Sequence, residues 1–564
     1  GAMANMTANR VTYAHDFQGM GFAVSAEAAS GLAALDLAIE ALRLGQLDMA
    51  IVAAADFATE PVRAAALADI GITAQPGDQA AAIVLKRNQD AEATSDRIFG
   101  SVRDVDWSKG ADSDPGIINR VFGTAPCASV VFELALQAQL CARGHVLTAE
   151  GAVPDIQETS RPVDISVEAT PLNSAGSVTF HPADAVPIPD ALRPTPFLFW
   201  ASAKDKTTLA ARMASGKTGG RGKCRIATVA PTEEALAEQW DSAQQMLEQG
   251  KAPVGDGVHY GEGKPEGELA FMFTGSAAVY PRMGRGLLSA FPELRQRLAK
   301  LDKADEIAPL LAKASLTEFE QLCAGTLMSQ AHAILLLDIL GLKPDAALGL
   351  SLGESNALFA FGFWRDPGAL LDEISDAAMY ERHIGGEFET AKEAWGPNVP
   401  ADWTNWRVQA PVDAVKREVA KHTGVEITII YSRTDCMIGG PAEACRKICE
   451  SLGPGSGAKM HQHLIVHAKA MRPFAETWRE LHTRKMHDGG GVRLYANAIN
   501  AAYEPTSETS ADMLTRQAVD TVDFPPTVEQ AWKDGVRTFV ELGPRDTLTA
   551  ALGNILEGKD YNAV

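Results

Sequence analysis

The stretch AALGLSLGESNALFA, residues 346–360, holds the densest chemical information in this chain. Ala346–Leu350 is a short apolar run that suits a buried strand, and a helical pattern follows Leu352. Between them, Gly349-Leu350-Ser351-Leu352-Gly353 fits the G-x-S-x-G turn, in which a strained strand-to-helix elbow exposes a serine hydroxyl. The start of the following helix aims backbone N–H groups at any oxyanion that forms there, and Glu354 in its first turn suits the helix dipole. A strand running into a helix through a reactive turn is an α/β signature.

A serine nucleophile needs a base. Residues 461–474, HQHLIVHAKAMRPF, supply three histidines to consider, His461, His463 and His467. His461 and His463 have no acid or thiol beside them in sequence, so no metal site is expected. The seven cysteines are scattered and odd in number, and Cys445 and Cys449 lack a second pair, so reduced thiols and a cytoplasmic setting are expected.

Outward from the elbow, a strand is predicted at Leu269–Phe273, a helix at Leu327–Leu340, and a closing strand at Thr538–Leu542 before a last helix. Residues 404–466 change rhythm. Strand, helix Val412–His422, strand Ile427–Tyr431, short strand Met437–Gly439, helix Ala442–Leu452 and strand His461–Val466 give a β-α-β-β-α-β order, the ferredoxin-like motif. Upstream, strands Phe197–Ala201 and Cys224–Val229 with helix Glu233–Gln249 predict a small α/β linker domain at 183–265. Its GKTGGRGK stretch, residues 216–223, lacks Walker spacing and reads as a solvated loop. Between about Pro154 and Pro194 the chain shows no clear periodicity.

The first part, 5–182, opens with a helix carrying Leu32, Leu35, Ile39 and Leu42 at helical spacing and stopped by Gly45. Met49–Ala55 is a continuous apolar run, predicting a strand buried on both faces. A second strand ends near Arg87, and a helix covers roughly Ala128–Arg143. Gly1–Ala4 reads as the remnant of a cleaved tag.

A chain of 564 residues exceeds one core, so two or more packed units are expected. The net charge of −21 comes without a basic cluster interleaved with aromatics, which excludes nucleic acid as a partner class. The apolar stretch AHAILLLDIL, residues 331–340, is interrupted by Asp338 and predicts no membrane span.

These motifs, in order and spacing, carry a resemblance over Leu269–Leu552 to the acyltransferase domains of polyketide and fatty acid synthases. FMFTGSAAVYPRMG (271–284) resembles the family's opening strand and glycine turn, GLSLGE (349–354) its serine elbow, HAKAMRP (467–473) its histidine motif and FVELGPRDTLT (539–549) its closing strand. GESNALFAFGFWRD (353–366) is most similar to the acyltransferases of polyunsaturated fatty acid synthases and related glycolipid synthases. The resemblance implies an α/β hydrolase-like acyltransferase domain at 266–555, with the ferredoxin-like subdomain at 404–466. It implies Ser351 as nucleophile, His467 as general base, and the backbone N–H groups of Ser276 and Leu352 as oxyanion hole. In this family a backbone carbonyl orients the histidine, and Asp523 falls near that position. Acyl-CoA is then a substrate, no cofactor is bound, and the partners are a phosphopantetheinylated acyl carrier protein and other synthase subunits. An editing thioesterase and a non-catalytic docking scaffold are the alternatives.

There are departures from the family pattern. Leu350 stands where the family has His, and Ser276 where it has Gln. Malonyl-type enzymes place an arginine about 25 residues after the serine to pair with a free carboxylate, but Asp376 stands here. Arg382 is the nearest downstream candidate, and Arg365 lies closer to the elbow.

Val11–Phe180 resembles part of a ketosynthase of the thiolase fold, through residues 20–56 around its nucleophile region and 77–90 in a later strand. The alignment puts Ala28 at the catalytic cysteine's position and Gly123, in VFGTAPCAS (121–129), at a histidine's. Cys127 lies in the wrong motif to substitute. The resemblance thus implies a partial, degenerate ketosynthase-like unit without condensing chemistry.

Overall fold

The computed structural model describes residues 5–69, 77–107, 121–123, 125–142, 144–148, 151–154, 162–167, 176–183, 197–263, 267–396 and 402–564; Gly1–Ala4 lie outside them. The chain divides into two compact units, Gly1–Ile188 with Pro281–Leu316, and Pro189–Tyr280 with Thr317–Val564.

In the first unit, helix Ser30–Arg43 buries the predicted stripe Leu32, Leu35, Ile39 and Leu42. It ends as Gly45 turns left-handed at φ 68°. Strand Met49–Phe57 pairs antiparallel with Asp78–Lys86 in a two-stranded sheet. It is not buried on both faces: Ala50 and Val52 are covered, whereas Met49, Ile51 and Phe57 are exposed. Alternation of this kind belongs to a one-sided antiparallel pair, which apolar content alone does not reveal when the outward residues are apolar too. Helix Ser129–Ala142 lies where expected. The aperiodic stretch holds strands Val163–Val167 and Gly176–Pro182, which join Gly100–Asp106 in a three-stranded antiparallel sheet. Residues Pro281–Leu316, placed with the acyltransferase-like part by sequence, pack instead with this unit. Ser289 Oγ lies 3.1 Å from His145 Nε2, and the Arg285 guanidinium donates to the Ala152 carbonyl.

The second unit contains the linker domain, an antiparallel sheet of Val258–Gly261, Cys224–Ala230 and Phe197–Ala203 carrying two helices, Lys206–Ala214 and Glu233–Glu248. Residues 216–223 form the largely exposed loop expected, tied to the sheet at Gly219. Gly219 N–H donates to the Trp200 carbonyl at 2.8 Å, and Ser202 N–H to the Gly219 carbonyl at 3.0 Å.

The rest is built on a six-stranded sheet in the order Ala501–Tyr503, Arg493–Ala496, Ala346–Gly349, Glu268–Phe273, Val536–Leu542, Asn562–Ala563. It is parallel except at Ala501–Tyr503. Its central strands are buried on both faces, which explains their uninterrupted apolar runs. Helix Glu318–Ala333 starts at a capping box of Thr317 and Glu320 and continues as a π-helical turn, Ile334–Ile339. It is longer than predicted. It is 22 residues long with an 18-residue window of mean hydropathy 1.4, long and apolar enough to cross a membrane, but two-thirds of that window is buried inside the protein, as in a core helix.

The ferredoxin-like subdomain is present, with strands Trp403–Gln409, Glu426–Ser432, Asp435–Pro441 and Gly457–Lys459 in the order 4-1-3-2, and helices Val412–Val419 and Ala442–Leu452. Val522–Asp523 adds a parallel fifth strand. The predicted last strand, His461–Val466, is instead an irregular segment after Gly457–Lys459. Its apolar Leu464 and Ile465 are buried as a loop that carries His467 toward the elbow.

Candidate active site

The elbow shows why its glycines are needed. A Cβ on Gly349 would meet Glu354 N at 2.2 Å, and one on Gly353 would meet the Phe273 carbonyl oxygen at 2.0 Å. The strand-to-helix turn therefore closes only with hydrogen at both positions. Between them Ser351 sits at φ 56°, ψ −121°, a conformation that a side chain rarely adopts and that the surrounding packing must enforce. Leu350 N–H donates to the Phe273 carbonyl at 3.0 Å, fixing the turn to the neighbouring strand.

Ser351 Oγ lies 2.7 Å from His467 Nε2, and His467 Nδ1 lies 2.6 Å from the Gln517 carbonyl oxygen. A carbonyl can only accept, so Nδ1 carries the proton and Nε2 presents its lone pair to the serine hydroxyl. His467 takes a left-handed conformation, φ 60°, and its N–H donates to the Ala518 carbonyl at 2.7 Å. Burial pushes its imidazole down to about 4, partly offset by the Gln517 carbonyl. The ring is neutral in ordinary buffers, as a general base must be. The orienting carbonyl belongs to Gln517 and not to Asp523, which pairs with Ile430 in the subdomain's added strand. Gln517 also donates from Nε2 to the Ser351 carbonyl at 3.3 Å, tying the histidine's support to the nucleophile.

Ser276 begins a short 3-10 turn and Leu352 begins the elbow helix, and both line one cavity with Ser351. Ser276 Oγ accepts from the Gln462 side-chain amide at 3.2 Å. Among the other histidines, His463 Nδ1 accepts from Asn405 N–H at 3.3 Å and His461 is exposed; neither reaches the serine.

A second support was not singled out by sequence. Glu354 is buried beneath the elbow, and its Oε1 accepts from Asn497 N–H at 2.9 Å and Asn497 Nδ2 at 2.6 Å. Asn497 Nδ2 also donates to the Gly349 carbonyl at 2.7 Å. Asn497 follows strand Arg493–Ala496, so one side chain bridges both flanks of the elbow. Burial raises the Glu354 carboxyl to about 8 despite those donors. The only sequence signal was an acid in the elbow helix.

Two cavities meet at the Ser351–His467 pair. The outer one lies against the subdomain, where Asn405, Arg407, Met437 and Gln462 line it. Arg407 is held by Asp435 at 2.6 Å and lies 5.0 Å from the Tyr431 ring. The inner one is walled by Leu322, Phe359, Leu370, Leu371, Ile374, Tyr380 and Leu514, with Trp478 and His482. No lysine or arginine among the described residues lines it. Arg382, the candidate carboxylate partner, is exposed, pairs with Glu389 at 2.7 Å and lines neither cavity. Arg365 and Asp376 line neither cavity as well.

At the ketosynthase-like positions, Ala28 is buried at the foot of helix Ser30–Arg43, and Gly123 takes φ 76° with its carbonyl accepting from Gln79 Nε2 at 2.8 Å. Neither offers a thiol or an imidazole.

Fold and site define the class: a ketosynthase-like segment joined to an acyltransferase-like unit. The N-terminal domain of the beta-ketoacyl synthases matches residues 1–91. One polypeptide of the polyunsaturated fatty acid synthase of Thraustochytrium sp. is 27% identical over 256 residues, 42% of this chain and 12% of that protein. The malonyl CoA-acyl carrier protein transacylase of Bacillus subtilis is 25% identical over 302 residues, 51% of this chain and 90% of that protein. The solved acyltransferase domain from module 8 of the salinomycin polyketide synthase is 18% identical with a TM-score of 0.49, covering 65% of this chain and 90% of its own. Against the large synthases the match spans only 12–16% of their length.

Proposed function

We propose that this chain is an acyltransferase that carries an acyl group as an ester on Ser351 from acyl-CoA to a phosphopantetheinylated acyl carrier protein, within a polyketide-type or polyunsaturated fatty acid synthase. One observation carries the reading. His467 Nε2 faces Ser351 Oγ at 2.7 Å while its Nδ1–H is anchored on the Gln517 carbonyl.

Ser351 Oγ attacks the thioester carbonyl as His467 Nε2 takes its proton, and the oxyanion is received by the Ser276 and Leu352 N–H groups. Collapse expels the coenzyme A sulfur, which leaves with the proton from His467. The carrier thiol then attacks the ester, giving its proton to His467, and the Ser351 oxygen recovers a proton as it leaves. The inner cavity, without a cationic wall, suits an uncharged acyl group. A malonyl carboxylate buried there would be unpaired, at a cost of several kcal/mol. A docking scaffold has no need of an aligned Ser–His pair.

The test is to load the protein from octanoyl-CoA, add the holo carrier, and follow both products. Acyl-carrier formed through Ser351 supports the reading. Free acid in place of acyl-carrier makes the protein a hydrolase, and acyl-carrier formed equally by Ser351→Ala overturns the mechanism.

A further inference from the structure

The inner cavity is lined mostly by apolar side chains, and some of its polar lining residues carry atoms that the protein leaves unmatched. Trp478 Nε1 is buried without a hydrogen-bond partner, as are Asn356 Oδ1 and Gln517 Oε1, and all three residues line the cavity. His482 lines it too and is 3% exposed. Its Nδ1 lies 2.7 Å from the Trp478 carbonyl oxygen, one helical turn back, so Nδ1 holds the ring's proton and Nε2 is an acceptor. Burial keeps the ring neutral, pushing it down to about 4. The His482 and Trp478 rings are stacked at 4.8 Å and 27°, and the Trp364 ring lies tilted 6.1 Å from His482. Donor and acceptor are thus fixed before any ligand arrives.

An unbranched hydrocarbon chain satisfies none of these atoms. A carboxylate can accept from the Trp478 N–H but meets the other groups as acceptors and finds no cation. A hydroxyl both donates and accepts, so it can take the Trp478 N–H and give its proton to His482 Nε2, Gln517 Oε1 or Asn356 Oδ1. Resting on the acyl-enzyme reading above, we propose that the acyl group held on Ser351 carries a hydroxyl on its chain, and that Trp478 and His482 select it. A site built to bond a hydroxyl discriminates against the analogue lacking it, because its own buried groups then go unpaired.

The experiment compares Ser351 acylation rates by octanoyl-, β-hydroxyoctanoyl- and ω-hydroxyoctanoyl-pantetheine in the parent, Trp478→Phe and His482→Phe. One hydroxylated chain should load at least ~10-fold faster than octanoyl, and that ratio should fall to ~2-fold or less in either variant. Phe keeps an aromatic ring in each stack, so both variants retain the wall. Equal rates for all three chains, or a preference indifferent to both substitutions, overturns the proposal and leaves the acyl-enzyme reading standing. If no chain acylates Ser351, the acyl-enzyme reading fails by itself. Calorimetric binding of the same three compounds to Ser351→Ala then decides the inference: tighter binding of a hydroxylated chain supports it, and equal or undetectable binding overturns it.

Discussion

Asn497→Ala removes the one side chain that spans the serine elbow. Its Nδ2 donates at 2.7 Å to the Gly349 carbonyl and at 2.6 Å to Glu354 Oε1, inside a region from which water is excluded. Both acceptors lose a donor, although Glu354 keeps the Asn497 backbone N–H at 2.9 Å. A buried acceptor left short costs about 1–3 kcal/mol, so two of them, one partly compensated, place the loss at about 2–4 kcal/mol. The kinetic effect follows from geometry. Ser351 occupies a strained φ of 56° that the two flanks must enforce, and a relaxation of ~1 Å at the nucleophile costs on the order of 10²-fold in rate. Urea denaturation reads the first quantity and the rate of acyl-enzyme formation at saturating donor reads the second. KM should change little, because Asn497 lines neither cavity. A variant within about 0.5 kcal/mol of the parent and acylating at the parental rate would show that the elbow holds itself and that the bridge is incidental.

His467→Ala should slow acylation by on the order of 10²–10⁴, while His461→Ala and His463→Ala leave the chemical step within a few-fold; the reverse ranking refutes the base assignment. The acylation rate should stay flat as pH falls from neutrality and drop only as the solution approaches about 4, because protonating buried His467 removes the lone pair facing Ser351. A midpoint at the ordinary imidazole value of ~6.5 would mean the ring is solvated. Arg382→Ala should leave every acyl donor within ~2-fold, since the exposed guanidinium serves only Glu389; a selective loss of malonyl loading would show that it reaches the cavity. The ketosynthase-like unit should give no condensation product from malonyl-carrier and an acyl donor, since Ala28 has no thiol. Product that persists in Ser351→Ala would contradict that assignment.

The elbow was legible because its constraints are local. Two glycines, a serine and a buried strand are written within fifteen residues, and hydrogen at Gly349 is demanded by Glu354 close in the chain, although Gly353 answers to the distant Phe273 carbonyl. The base was legible through its motif, but its orienting partner was not. A backbone carbonyl has no residue-type signature, so nothing in the sequence separates Gln517 from Asp523 as the group that meets Nδ1. Asn497 was missed for a related reason: it lies 143 residues from Glu354, and a single Asn after a strand is also an ordinary turn residue. The strand misread at His461–Val466 shows a limit of pattern reading, since Leu464 and Ile465 are apolar for burial in a loop rather than for a sheet face. Met49–Phe57 fails the opposite way, its outward residues being as apolar as its inward ones. Arg382 rests on spacing alone, and spacing does not say which way a helical turn faces.

The most direct test of the central claim is intact-mass analysis of the whole protein after mixing with an acyl-CoA panel, parent beside Ser351→Ala. The account predicts a single acyl adduct on the parent that maps to Ser351, favours uncharged acyl groups over malonyl, and is absent from the variant. An adduct that persists in Ser351→Ala, or maps to any other residue, would contradict it.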